Sequence, residues 1–237
     1  MDRFCVICRN RVDHWISVEH KYPMSEFLKG VQCIGGDLKN CLCPRCSSVD
    51  RIRHIFIYLN QLKLLPLFKS ARILHVAPEP MLQLIIRHQG PSEYILGDLA
   101  PKRNGIVRMD IQNTNCPSGS FDWVICNHVL EHVADPHEAI KEVHRILKVG
   151  GLFLCQTPFA MKLEATFCSE FLESPQDRMY FYGQDNHRRM FGRDIFKQIE
   201  GAGFLNRCAF HAEVLSSFSG ERFGVNQEEP LFLFEKM

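Results

Sequence analysis

From Arg72 onward, short runs rich in β-branched and aromatic residues alternate with segments of helical period. The runs predict strands over 72–77, 94–98, 106–109, 121–127 and 151–157, and the periodic segments predict helices near 80–88, 135–147 and 192–201. This alternation reads as an α/β fold, a mostly parallel sheet covered by helices. Ahead of it, Ile52, Ile55, Phe56, Leu59 and Leu62 follow the spacing of an amphipathic helix, with Asp50 as its expected N-cap and Pro66 as its expected end. Asp135, Pro136 and Glu138 predict a capping box on the 135–147 helix, which Gly150-Gly151 would terminate. Residues 160–190 have weak periodicity and read as a long excursion over the active face. Apolar runs at 204–212 and 230–235 predict a closing β-hairpin.

Composition narrows the class. The chain has 237 residues, 46% hydrophobic and 23% charged, which excludes disorder and collagen-like repeats and suits one large domain or a domain with a small appendage. No run approaches the ~18 apolar residues of a membrane span, and the start lacks a signal-peptide pattern, so a cytoplasmic protein without membrane attachment is expected. A net charge of +1 disfavours nucleic acid as a partner. The charge is uneven, however. Residues 1–70 hold 11 Lys/Arg against 6 Asp/Glu and the remainder 17 against 21, a basic front piece before a mildly acidic body.

That front piece carries two C-x-x-C knuckles, Cys5/Cys8 and Cys43/Cys46, separated by 34 residues. Four thiolates so arranged suit a tetrahedral structural zinc. A redox pair is the competing reading, as is chance clustering in which Cys33 or Cys41, or His14, His20 or His54, takes a ligand position. The cysteines outside the knuckles, Cys33, Cys41, Cys116, Cys126, Cys155, Cys168 and Cys208, read as mostly buried thiols.

In a doubly wound sheet, ligands lie beyond the carboxyl ends of the strands. Asp98 ends the second strand of the body, where a carboxylate can accept both hydroxyls of a ribose. Asp110 ends the third and could bond an adenine amino group, and the fourth delivers Asn127 and His128. His128 and His132, four apart, could share a helical face. Trp123 reads as core.

With these residues in place, the chain resembles class I S-adenosylmethionine-dependent methyltransferases of the branch called methyltransferase type 11. The likeness runs over about 72–205 and rests on Gly97-Asp98-Leu99, Asp110-Ile111, the segment from Phe121 to Val133 containing His128-Val129-Leu130-Glu131-His132, and the run from Arg145 to Gly151. Members of that branch also carry a cysteine-rich front piece followed by Arg-x-Arg, here Arg51 and Arg53, and a late segment here read as Gly183-Gln184-Asp185-Asn186-His187-Arg188. The first loop departs from the usual alternating glycines, which would permit positive φ, and reads Ala77-Pro78-Glu79.

The resemblance implies a Rossmann-like domain over 71–237, with 160–190 as a substrate lid, joined by a helix at 51–70 to a zinc-binding domain at 1–50. It implies S-adenosyl-L-methionine as cofactor, held by Ala77, Pro78, Glu79, Asp98, Leu99, Asp110, Ile111, Asn127 and His128, with Glu79 meeting the cofactor's ammonium group. Beside it stands Zn2+ at Cys5, Cys8, Cys43 and Cys46. The implied reaction is methyl transfer to oxygen or nitrogen of a small-molecule or sugar acceptor. His187 with Arg188 is the expected substrate pair, His128 and His132 are alternative bases, and Gln184 is a further acceptor contact. RNA methylation through a zinc ribbon, and a non-catalytic zinc-stabilised binding protein, are the alternatives.

Overall fold

The computed structural model describes residues 2–237. The front piece contains a hairpin of β1 (Arg3–Cys5) and β2 (Asn10–Val12), a short helix α1 (Glu26–Gly30), strand β3 (Cys33–Ile34) and helix α2 (Asp50–Gln61). The body runs β4 (Arg72–Val76), α3 (Pro80–His88), β5 (Glu93–Asp98), β6 (Val107–Arg108), β7 (Phe121–Cys126), α4 (Pro136–Ile146) and β8 (Leu147–Leu154). Beyond these lie β9 (Phe159–Ala160), α5 (Pro175–Tyr182), α6 (Asp194–Gly201), β10 (Phe204–Asn206), α7 (His211–Val214), α8 (Gly220–Phe223) and β11 (Leu233–Lys236).

Seven strands form one sheet in the order β10-β11-β8-β7-β4-β5-β6, in which β11 alone runs against its neighbours. Side chains alternate across it with the period of a strand. Leu74, Val76, Val124 and Cys126 face one apolar layer with Ala139, Ile140 and Val143 of α4 and Ile195 of α6. Ile73, Trp123 and Ile125 face the other, with Ile52, Ile55 and Leu59 of α2 and Leu82 and Ile86 of α3. Both faces are thus covered, which is why β4 and β7 are apolar apart from Arg72, His75 and Asp122.

Several local expectations need correction. Asp50 does not cap α2: Val49 occupies that position, and the Asp50 carboxylate instead accepts the N–H of Asp37 in the front piece. The helix stops at Gln61, before the 3-10 turn Leu65–Phe68 that contains Pro66. Asp135 caps α4 through the N–H groups of His137 and Glu138, but Glu138 does not close the box. Gln112 Oε1 accepts the Asp135 N–H at 2.7 Å, while Glu138 pairs with Lys141.

Gly150-Gly151 lies inside β8 rather than at the helix end. The β7–β8 register shifts between Phe121↔Leu147 and Trp123↔Leu152, and a Cβ on Gly151 would come within 2.8 Å of the Lys148 carbonyl. A bulge there demands glycine. The final strands are antiparallel neighbours, yet residues 207–232, with α7 and α8, separate them, so the expected hairpin is an expanded one. Cys168 is exposed rather than buried.

The front piece is tied to the body by named contacts. Strand β3 pairs with β9, Trp15 donates its indole N–H to the Glu221 carbonyl at 2.9 Å, and Phe27 packs on Phe167 and Phe181. Arg53 is fully buried; it stacks 4.2 Å from the Trp15 ring centroid and donates to the carbonyls of Asn40, Phe223 and Gly224. Among the described residues, no helix is long and apolar enough to cross a membrane.

Candidate active site

The carboxyl ends of β4, β5 and β7 open into a cleft of about 510 Å³. Of the residues expected to hold a cofactor, Ala77, Asp98, Leu99, Asp110, Ile111 and His128 line it. Ala77 has φ +50, the left-handed conformation usually left to glycine. Alanine here meets the backbone demand that the absent glycines would have met, and its small side chain keeps the cleft open. One strand over, Gly97 leaves room for the Met109 side chain, whose Sδ would lie 2.9 Å from a Cβ there. One oxygen of each acid is spent on its own turn: Asp98 Oδ1 accepts the Ala100 N–H and Asp110 Oδ1 the Gln112 N–H. Each keeps further acceptor capacity for a ligand.

Pro78, Glu79 and Asn127 are not among the walls of this cleft. Pro78 presents its carbonyl to Arg103. Asn127 is buried, and its Oδ1 accepts the Gln156 N–H. Glu79 receives a 2.9 Å hydrogen bond from His75 at Oε2, while its Oε1 is buried without a partner. Burial opposes the charge on Glu79, but His75 outweighs it and holds the carboxyl below the ordinary range. The ammonium contact expected of Glu79 is therefore not one that the walls of the cleft offer.

A second cavity of about 440 Å³ lies between the front piece and the 182–187 segment. Its walls are largely apolar, including Tyr22, Met24, Leu28, Leu42 and Val49, and its polar residues include Asp50, Arg51, Gln184 and His187. His128 borders both cavities. The expected pair His187 and Arg188 is divided: His187 and Gln184 face the second cavity, whereas Arg188 faces the first, as does His132. Arg189 is no surface residue; buried, it donates to the carbonyls of Leu130, Val133 and Ala134 and braces the loop after β7.

That loop is a series of turns, so His128 and His132 do not share a helical face. His128 has φ +53; its Nδ1 lies 3.3 Å from Glu131 Oε1, and its Nε2 is buried without a partner. Glu131 is 1% exposed, and Thr157 donates to its Oε2 at 3.0 Å. Burial works against its charge, but His128 and the neighbouring histidines hold the carboxyl down to about 2. Glu131 stands in the sequence as one residue of a motif with no assigned part; a carboxylate close to two histidines, His128 and His132, was the signal. Arg51 and Asp50 were likewise missed as cavity residues. Burial, with the Glu229 carboxylate adding to it, pushes the Asp50 carboxyl up to about 7.

In the front piece, the sulfur atoms of Cys5, Cys8, Cys43 and Cys46 lie within 4.8 Å of one another. Cys5–Cys46 and Cys8–Cys43 are 3.7 and 3.9 Å apart, against the roughly 3.8 Å edge of a tetrahedron of sulfurs about 2.3 Å from zinc. Of the alternative ligands, Cys33 contacts Met190 and His54 bonds His211. The donor set could hold zinc.

Residues 73–155 match the family model described as a methyltransferase domain. A ubiquinone biosynthesis O-methyltransferase of Xanthomonas oryzae pv. oryzae is 35% identical over 103 residues, which is 42% of this chain and 39% of that protein. A demethylmenaquinone methyltransferase of Staphylococcus epidermidis is 40% identical over 50 residues, 21% of each. The chain therefore spans about a fifth to two fifths of the length of these curated relatives. An S-adenosylmethionine-dependent methyltransferase structure from Mesorhizobium loti superposes with a TM-score of 0.53 at 16% identity, over 76% of this chain and 97% of that one. The fold is similar to that of this S-adenosylmethionine-dependent methyltransferase.

Proposed function

We propose that the protein is an S-adenosylmethionine-dependent methyltransferase acting on an oxygen or nitrogen of a small-molecule or sugar-type acceptor. The observation that carries this reading is His128, which borders both the cofactor cleft and the adjoining cavity and so marks where a methyl group would cross between them. When bound, the cofactor supplies an electrophilic methyl group on a sulfonium. Asp98 and Asp110, on the wall of the cleft, would hold its ribose and adenine. The acceptor occupies the second cavity, with its apolar body against Tyr22, Leu28 and Val49 and its polar groups towards Gln184, His187 and Arg51. The relatives named for quinone biosynthesis support a small-molecule acceptor.

His128 serves as base. Glu131, 3.3 Å from Nδ1, would orient the ring, and Nε2 would take the proton of an acceptor hydroxyl. The walls contribute positioning and exclusion of water. The front piece, as a zinc-binding domain over 1–50 linked by 51–70 to the body, would hold one Zn2+ at its four cysteines and form one wall of the acceptor cavity.

The test is transfer of a radiolabelled methyl group from S-adenosylmethionine into a panel of phenols, sugars and amines. Incorporation into one class that fails with His128→Gln is expected. Wild-type protein that binds the cofactor yet labels only added RNA would overturn the acceptor assignment.

A further inference from the structure

We propose that Glu131, His132 and His187 form a second metal site, one that takes a divalent first-row transition-metal ion between the two cavities. One ligand atom from each residue lies within 4.8 Å of the others, and the only comparable cluster among the described residues is the four cysteines. A metal about 2.1 Å from each donor would draw them to roughly 3.0–3.5 Å apart, a movement of side chains rather than backbone.

The protonation of His187 is set for ligation. Its Nδ1–H donates to the Tyr182 carbonyl at 2.7 Å, which leaves Nε2 with a free lone pair, and that atom is buried without a partner in a residue 3% exposed. A ring nitrogen anchored to a carbonyl while the other faces inward is the arrangement of a metal-bound imidazole. Glu131 is fixed in the same way: Thr157 holds Oε2, and Oε1, 3.3 Å from His128 Nδ1, keeps a lone pair for a cation. The His132 and His187 rings meet edge to face with centroids 4.7 Å apart, and one nitrogen of each lies within 4.8 Å of the other.

The two segments that carry the ligands are braced against each other. The Arg188 N–H donates to the Glu131 carbonyl at 2.9 Å, and Arg189 binds the carbonyls on either side of the ligand pair Glu131 and His132. Two imidazoles and one carboxylate suit zinc or ferrous iron and leave coordination positions open. His187 faces the acceptor cavity and His132 the cofactor cleft, so an open position would take an acceptor oxygen. That last step rests on the methyl-transfer reading; the binding of the ion does not.

Intact protein is dialysed against a chelator weak enough to spare a thiolate-bound ion, then titrated with Co2+ alone and followed by visible absorption and metal content. One added equivalent without sulfur-to-metal charge transfer is expected. His187→Ala and the half-buried His132→Ala should each weaken it by more than the roughly 10–100-fold that losing an outer-shell partner costs. The His132 variant, with unchanged circular dichroism, guards against loss of fold in the other. Wild-type protein that binds no Co2+ beyond the cysteine site, or both variants binding it as wild type does, overturns the site. Cobalt binding without methyl transfer overturns only the catalytic reading.

Discussion

His128 Nδ1 lies 3.3 Å from Glu131 Oε1, and His128, which borders both cavities, keeps its buried Nε2 without a partner. If that nitrogen accepts the acceptor proton, His128→Gln lowers kcat by about 10² to 10⁴ with cofactor affinity nearly intact. Steady-state kinetics paired with cofactor titration check this. Undiminished turnover would remove His128 from the proton path.

Ala77 sits at φ +50, where a β-branched side chain is far more strained than alanine. Ala77→Val should cost stability by more than about 1 kcal/mol and narrow the cleft, weakening cofactor binding. Ala77→Gly should bind the cofactor as well as wild type. Thermal unfolding and titration of both variants distinguish backbone strain from lost contact.

Asp50 titrates at about 7 in the folded chain against about 3.9 when unfolded. The folded state therefore binds the extra proton, and this stabilisation is complete below pH ~4 and lost as pH rises through 7. Relative to Asp50→Asn, the wild type should lose stability steadily across that window, with Glu229, Arg51 and Arg53 as the charges nearby. Urea unfolding at several pH values checks the sign; a pH-independent difference would show that Asp50 is ionised throughout.

Stripping metal from the four cysteines should unfold the hairpin β1–β2 first, because a structural zinc contributes about 10–16 kcal/mol in small zinc-binding units. Hydrogen exchange should lose protection over 2–50 before 72–155. Elemental analysis that finds no zinc in the purified protein would remove the ion from the account.

The sheet was readable because Ile73, Leu74, Val76 and Val124 are buried, on one face or the other, and leave apolar runs broken in β4 only by His75. The strand-end acids were readable from their spacing. What escaped depends on contacts distant in the chain. Asp50 resembles an N-cap until Asp37 claims its carboxylate, and Gly150-Gly151 resembles a helix stop until the β7–β8 register requires a bulge. Arg189 and Arg188 look equally exposed in sequence, yet only carbonyls brought in from the loop after β7 bury Arg189. The acceptor cavity was invisible for the same reason: its walls come from residues 18–51 and 182–187, with His128 and Pro158.

Calorimetric titration of the intact protein with S-adenosylmethionine tests the central claim most directly. One molecule should bind per chain, and Asp98→Ala should weaken it by about 1.5–3 kcal/mol, the range for hydrogen bonds to a charged group. No heat of binding to the wild type, or equal affinity in the variant, would contradict a cofactor seated on Asp98 in this cleft.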